Sequence, residues 1–134
     1  MKPKISLVSL GVADLDRETA FYRDGLGLPI EMHVAGEVTM FRTEGTLLAL
    51  YVREKMAEDL GMEPSPLPPF PGFTLAHNVP SREAVDELMA QAEAAGARVL
   101  APGRDAAWGG YIGHFADPEG FPWEIAWNPG LDLT

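Results

Sequence analysis

Few side chains in this sequence could do chemistry. There are three histidines and no cysteine, which excludes a disulfide scaffold, a thiolate zinc site and a cysteine nucleophile. No phosphate-binding glycine loop occurs, because Trp108-Gly109-Gly110 is not followed by a helix pattern. The Gly-x-Ser-x-Gly elbow of serine hydrolases is also missing. The remaining candidates are carboxylates, imidazoles and aromatic rings on predicted strands.

Three aromatic side chains are candidate ligand contacts. Tyr51 and Tyr111 could stack on a ligand and hydrogen-bond to it, although strand aromatics are more often part of the core. Trp108 precedes two glycines, where the backbone can approach a ligand closely and the indole could form a lid. The alternative for Trp108 is a surface tryptophan on a turn.

The first half of the chain predicts a βαβββ module over about residues 5–55. A strand over 5–12 is followed by Asp14, a helix N-cap, and by a helix that ends near Gly25. Three strand-like segments lie between Ile30 and Val52, separated by glycine turns. Five prolines between Met62 and Gly72 then favour an extended linker or flap over about 62–72.

The second half predicts the same order of elements over about residues 73–128. After a first strand, Ser81 caps a helix that ends at Gly96, and Asp117-Pro118-Glu119-Gly120 forms a four-residue hairpin turn. The predicted strands are Phe73–Val79, Arg98–Ala101, Tyr111–Ala116 and Phe121–Trp127. Alignment of Val12 with Val79 superposes the two strand-helix starts, which indicates an internal duplication.

Three segments carry a resemblance to a known family. They are Leu10-Gly-Val-Ala-Asp-Leu-Asp-Arg17, then Phe21-Tyr22-x-x-x-Leu26-Gly27, and Phe115-Ala-Asp-Pro-Glu-Gly-Phe-Pro-Trp-Glu-Ile125. Together with the paired modules, they resemble the vicinal oxygen chelate (VOC) superfamily of glyoxalase I, extradiol dioxygenases and bleomycin-resistance proteins. The resemblance covers nearly the whole chain, residues 1–134 as a single domain. It implies an α+β fold in which two βαβββ half-barrels of mixed sheet, with helices outside, enclose a cavity, and it implies a homodimer.

The resemblance also locates four metal-ligand positions. Metal-dependent members carry a ligand on the first and last strand of each module, which here gives Leu7, Ala49, Thr74 and Glu124. Only Glu124 is a good donor, since divalent transition metals need several imidazoles or carboxylates. We therefore expect these positions to be degenerate and no metal or other cofactor to be bound.

The histidines are not expected to complete a metal site. With a four-residue turn at 117–120, residue 113 faces residue 124, so His114 is predicted on the face opposite Glu124. His77 is an odd number of positions from Thr74 and is also placed on the opposite face. His33 is interpreted as a solvated residue near a turn.

Glu124 is the candidate catalytic residue, as a general base, or a hydrogen-bond acceptor for a polar ligand; the alternative is a structural relic. Strand alternation predicts neighbours for it on one face. These are Leu7 and Ser9, Ala49 and Tyr51, Thr74 and Ala76, Tyr111 and Gly113, and Ala126. They outline a small, mixed pocket, in which Leu7, Ala49 and Thr74 are candidate ligand-binding residues together with Glu124 and the three aromatic residues. Trp123 and Trp127 fall on the other face, where we expect them to pack against a helix or a partner module.

The leading interpretation is a glyoxalase- or bleomycin-resistance-like protein that binds a small molecule in its cavity without metal. The alternative is a metal-dependent lyase, isomerase or dioxygenase acting on a small carbonyl or aromatic compound. A net charge of −10 disfavours nucleic acid and anionic membranes as partners and favours cationic ligands. No apolar run is long enough to span a membrane, and a cytoplasmic protein is expected.

Overall fold

The computed structural model describes all residues from Met1 to Thr134. It contains eight strands and three α-helices, and α1 continues into a π-helical turn, Phe21–Gly25. In chain order the elements are β1 Leu7–Val12, α1 Leu15–Ala20, β2 Ile30–Val34, β3 Val38–Arg42, β4 Leu47–Val52, α2 Arg53–Leu60, β5 Leu75–Asn78, α3 Arg82–Ala94, β6 Arg98–Asp105, β7 Tyr111–Ala116 and β8 Pro122–Trp127.

The elements form two compact units, Met1–Pro66 and Leu67–Thr134. Their boundary lies in the proline-rich segment, which contains neither helix nor strand between residues 63 and 74. Each unit has one four-stranded mixed sheet that is not closed into a barrel. The predicted α+β class with two βαβββ modules is therefore confirmed.

The first unit buries one face of its sheet against α1. The strand order is β1-β4-β3-β2, with β1 parallel to β4 and the other pairs antiparallel. Asp14 caps α1 as predicted, accepting a hydrogen bond from the Arg17 N–H at 3.0 Å. Between helix and sheet, Thr19 and Thr39 share a buried hydrogen bond of 2.9 Å. The core there is built from Leu10, Val12, Tyr22, Phe41 and Leu50, all 3% exposed or less.

Helix α2 is an element that the sequence patterns did not predict. It follows β4 without a loop and ends at Gly61, which adopts a left-handed conformation with φ of 66°. It packs on β1 at Gly11, where an added Cβ atom on this glycine would lie 3.1 Å from the sulfur of Met56. Only Ala57 is buried in this helix, so its apolar periodicity is too weak to detect in the sequence.

The second unit repeats the arrangement with the strand order β5-β8-β7-β6. Ser81 caps α3 by accepting from the Ala84 N–H at 3.1 Å. Val85, Met89 and Ala92 of α3 are buried. The helix approaches β7 closely at Gly113, where a Cβ atom would lie 2.9 Å from the Met89 side chain.

Strand β6 is longer than predicted. It was expected to end at Ala101, but it continues to Asp105 with irregular pairing on both sides of Ala101. Pro102 and Gly103 obscured the continuation, because both residues normally interrupt strand patterns. None of the helices is long and apolar enough to cross a membrane.

Candidate functional site

The turn between β7 and β8 determines which side chains face each other in the second sheet. Ala116 pairs with Pro122, so the turn holds five residues, 117–121, rather than the four predicted. Asp117 is 3% exposed, and its Oδ1 accepts from the Glu119 N–H at 3.1 Å and the Phe121 N–H at 2.8 Å. These two bonds hold the longer turn closed.

The extra residue shifts the register by one and corrects the prediction for His114. His114 pairs directly with Glu124, and Gly113 pairs with Ile125. Because a shift of one residue moves a side chain to the other face of a sheet, His114 lies beside Glu124 rather than opposite it. The prediction for His77 is confirmed, since it pairs with Ile125 and therefore lies on the face opposite Glu124.

His114 and Glu124 form a hydrogen-bonded pair. His114 Nε2 lies 3.1 Å from Glu124 Oε2, and the two side chains are 22% and 29% exposed. Arg104 of β6 lies on the other side of the ring, with Nη2 at 3.3 Å and Nη1 at 3.4 Å from His114 Nδ1. The three side chains form a row from β6 across β7 to β8, which we call the Arg-His-Glu row (Arg104, His114 and Glu124).

The row assigns a tautomer to His114. A guanidinium has only N–H donors, so Nδ1 of His114 must act as an acceptor from Arg104. The proton of the neutral ring is then on Nε2, which donates to the Glu124 carboxylate. Both ring nitrogens are engaged, so the group that remains available to a ligand is the carboxylate of Glu124, held in place by the imidazole.

Apolar side chains share this face of the sheet with the Arg-His-Glu row. The face is turned away from α3, and we call it the helix-free face. Strand pairing places Ala76 directly beside Glu124 on β5. On β7 and β8, Ile112 and Ala126 pair with each other and share this face. Thr74 precedes β5 and is exposed, and its hydroxyl donates to the carbonyls of Leu75 at 3.1 Å and Pro122 at 3.2 Å.

Tyr111 was expected beside Glu124, and the observed register shows that this grouping is wrong. Its side chain is on the α3 face, where its hydroxyl lies 3.1 Å from Asp86 Oδ1. Burial, together with the hydrogen bond to Asp86, raises the pKa of the Tyr111 phenol above its ordinary value. Gly113 moves to the same face, for the same reason.

Trp123 and Trp127 lie on the face of the sheet opposite Glu124. Trp127 packs on the guanidinium of Arg82 at the start of α3, 5.4 Å from its ring centroid, and Trp123 stacks on Phe115 at 6.2 Å. Both therefore occupy the face predicted for them. Trp108 is 54% exposed, and its indole lies over Gly110 in the 106–110 turn, where a Cβ atom would come within 1.9 Å of the ring.

The candidate residues of the first unit share one face of their own sheet. Leu7 lies at the start of β1, where it pairs with Leu47, and Ala49 of β4 pairs with Ser9. Leu7 is 39% exposed and Ala49 is buried. Tyr51 lies on the same face near α2 and donates to Asp59 Oδ2 at 2.8 Å. This hydrogen bond to a carboxylate, aided by burial, raises the pKa of Tyr51.

The donor set does not fit the divalent metal that the family resemblance implies. Leu7 and Ala49 have no donor atom, and the Thr74 hydroxyl is bonded to main-chain carbonyls. Glu124 has His114 beside it, but two ligands are fewer than a transition metal requires. No group of three or more histidine, aspartate or glutamate side chains is arranged to hold a metal ion. His33 is exposed, with Nδ1 at 2.8 Å from the Thr39 hydroxyl.

Two residues of the row were missed by the sequence patterns. His114 could have been found from Asp117, because an aspartate at the start of a turn often accepts from backbone N–H groups further along and so closes a longer turn. Arg104 gave no such signal, since the irregular pairing of β6 breaks strand alternation before it reaches this residue.

Comparisons with known proteins agree with this architecture. Residues 4–125 match the model of the Glyoxalase/Bleomycin resistance protein/Dioxygenase superfamily. A glyoxalase-related enzyme from Fulvimarina pelagi is 32% identical, with a TM-score of 0.91 over 98% of this chain and 93% of that one.

Other solved structures share the fold at lower identity. A lactoylglutathione lyase from Agrobacterium tumefaciens is 23% identical, with a TM-score of 0.77 over 98% of this chain and 100% of that one. A glyoxalase/bleomycin resistance protein/dioxygenase family enzyme from Burkholderia phytofirmans PsJN is also 23% identical, with a TM-score of 0.79 over 92% of this chain and 98% of that one. A comparison with curated proteins gave no match. The family model covers nearly the whole chain, and the protein belongs to the glyoxalase/bleomycin resistance protein/dioxygenase (VOC) superfamily.

Proposed function

We propose that the protein binds a small organic molecule on the helix-free face of the second sheet, without a metal, and that Glu124 contacts this ligand. The observation that carries the proposal is the hydrogen bond between His114 and Glu124. It orients a carboxylate that is 29% exposed and that shares its face of the sheet with Ala76, Ile112 and Ala126. An oriented acceptor with apolar groups beside it is typical of small-molecule sites.

The absence of suitable metal ligands supports the choice of binding without metal. A metal at the family position would have Glu124 as its one strong ligand, since Leu7 and Ala49 offer no donor. In addition, the imidazole of His114 occupies one oxygen of that carboxylate. We therefore expect protein purified without chelators to contain no stoichiometric zinc, nickel, iron or manganese. One tightly held ion per chain, lost on Glu124→Ala, would contradict this and would favour the metal-dependent alternative.

A second candidate function is metal-free acid–base catalysis on the same ligand. The His114–Glu124 pair favours it, because a carboxylate oriented by an imidazole N–H is suited to accept a proton from a substrate. The relative from Fulvimarina pelagi, a glyoxalase-related enzyme, adds support. In such a reaction Glu124 would accept the proton and His114 would act as a positioning residue.

The binding proposal is tested with a ligand found by thermal-shift screening. Glu124→Gln keeps the shape of the side chain and removes its charge, so the fold should persist. Loss of a charge-assisted hydrogen bond should weaken the affinity for the ligand by about tenfold to a hundredfold. Glu93→Gln removes the same charge from an exposed position on α3 and serves as the matched control.

The result distinguishes the two functions. Equal affinities of the wild type and Glu124→Gln would remove Glu124 from the site and refute the proposal. Incubation of the ligand with wild-type protein, followed by NMR of the small molecule, detects turnover. Conversion that stops in Glu124→Gln would establish the catalytic function.

A further inference from the structure

Arg104 differs from three other arginines of this chain in what it contacts. Arg23 and Arg42 each form an ion pair with a carboxylate, at 2.7 Å and 2.5 Å respectively, and Arg82 pairs with Asp105. Arg104 instead contacts the Pro102 carbonyl at 3.4 Å and the His114 imidazole at 3.3 and 3.4 Å, and no carboxylate.

The contacts of Arg104 leave hydrogen-bonding capacity unused. A guanidinium carries five N–H donors in a planar fork. The contacts with Pro102 and His114 involve only Nη1 and Nη2, at lengths near the upper limit for a hydrogen bond. The side chain is exposed, so its remaining donors are accessible from solution. A fork of this kind is complementary to the two oxygens of a planar anion.

We propose that Arg104 is the anion-binding residue of the site and that its ligand is a small monocarboxylate carrying a hydroxyl or amino group. This rests on the proposed function, in which Glu124 contacts the ligand. The carboxylate of the ligand lies against Arg104, and its hydroxyl or amino group donates to Glu124. The imidazole of His114 separates the two contacts, so the ligand spans the ring from one end to the other.

The charge of the protein favours a carboxylate over a phosphate. A net charge of −10 repels every anion, and it repels a phosphate dianion about twice as strongly as a monoanion. A single arginine offsets one negative charge and leaves the second uncompensated. The guanidinium of Arg104 lies within the Arg-His-Glu row. Its positive charge disfavours the cationic ligands that the net charge alone suggests.

The neighbouring side chains favour a ligand with an apolar part. Ala76, Ile112 and Ala126 share the helix-free face with Glu124 and offer apolar contacts next to the polar row. A hydroxy acid with a hydrocarbon or aromatic substituent combines the carboxylate, the hydroxyl group and the apolar part. We therefore take 3-phenyllactate as the probe, with 3-phenylpropane-1,2-diol and phenyl phosphate as comparison compounds.

The test measures dissociation constants by calorimetry, with the His114 ring resonances followed by NMR. We expect wild-type protein to bind 3-phenyllactate more tightly than either comparison compound. Arg104→Gln should weaken 3-phenyllactate by about threefold to tenfold and leave the diol unchanged. Glu124→Gln should weaken both the acid and the diol, because both carry a hydroxyl. Arg23→Gln, an exposed arginine in the first unit, is the control for net charge.

Each outcome decides a separate point. Equal binding of acid and diol by the wild type, with both weakened by Glu124→Gln, would overturn the anion site and leave the proposed function intact. Preference for phenyl phosphate would overturn the choice of a carboxylate. If Arg23→Gln weakened 3-phenyllactate as much as Arg104→Gln does, the effect of Arg104 would come from net charge alone. This result would overturn the anion site. No saturable binding of 3-phenyllactate up to millimolar concentrations would also refute the inference.

Discussion

Replacement of Asp117 should destabilise the second unit more than any exposed aspartate would. Oδ1 of this buried carboxylate accepts from two backbone N–H groups, of Glu119 and Phe121. In Asp117→Ala both groups lose that acceptor, and Phe121 is itself only 4% exposed. A hydrogen bond to a charged group contributes about 1.5 to 3 kcal/mol, and the two bonds share one oxygen, so we expect a loss of about 3 kcal/mol.

The assay is urea and thermal unfolding of the variant beside the wild type. For a chain of this length, 3 kcal/mol corresponds to a fall in Tm of about 10 °C. Asp117→Asn keeps an acceptor without the charge and should lose about 1 kcal/mol. Asp132→Ala is the matched control, because Asp132 accepts from the Thr134 N–H at 3.0 Å in the exposed C-terminal segment. That control should change the stability by less than about 0.5 kcal/mol.

A free energy of unfolding for Asp117→Ala within about 0.5 kcal/mol of the wild type would refute the reasoning. Asp117 would then not be what stabilises the five-residue turn. The same variant also tests the link to the site. If the turn fixes the register, the His114 ring resonances should move in Asp117→Ala and stay in place in Asp132→Ala.

Three further predictions concern packing, pH and assembly. Gly110→Ala should destabilise the protein by about 1 to 3 kcal/mol, because its Cβ atom would lie 1.9 Å from the Trp108 ring and 2.6 Å from the Trp127 carbonyl; Gly130→Ala, whose nearest neighbour is 3.6 Å away, should be neutral in the same urea titrations. The pKa of Tyr111 in the folded protein is raised above its ordinary value of about 10, so its protonated phenol contributes fully to stability below about pH 10. This contribution is lost as the pH rises through the raised pKa. Tyr111→Phe should therefore show a smaller decline in urea midpoint between about pH 9 and 11, and an unchanged decline would be inconsistent with this. We expect a homodimer from the family resemblance and from the exposed apolar side chains of β2, so sedimentation should give twice 14.5 kDa, and a mass of 14.5 kDa would rule the dimer out.

Most of the fold could be predicted from local patterns. Asp14 and Ser81 marked the starts of two helices, since side-chain caps act within one helical turn. The order βαβββ was readable twice, because strand-sized apolar runs and glycine turns alternate in both halves. Helix α2 was missed because its only buried residue is Ala57, and a polar helix of this length is stabilised by packing rather than by its own pattern.

The candidate site depended on tertiary structure. The sequence by itself placed Glu124 on the last strand and showed that Leu7, Ala49 and Thr74 are poor metal ligands, because these are properties of residue type and strand order. Which residues accompany Glu124 depended on one residue in a turn: with four residues the partner would be Gly113, and with five it is His114. A difference of one residue in the turn moves every side chain of β7 to the other face relative to β8. The contact of Arg104 with His114 depended on the irregular pairing of β6 with β7, which only the assembled sheet defines.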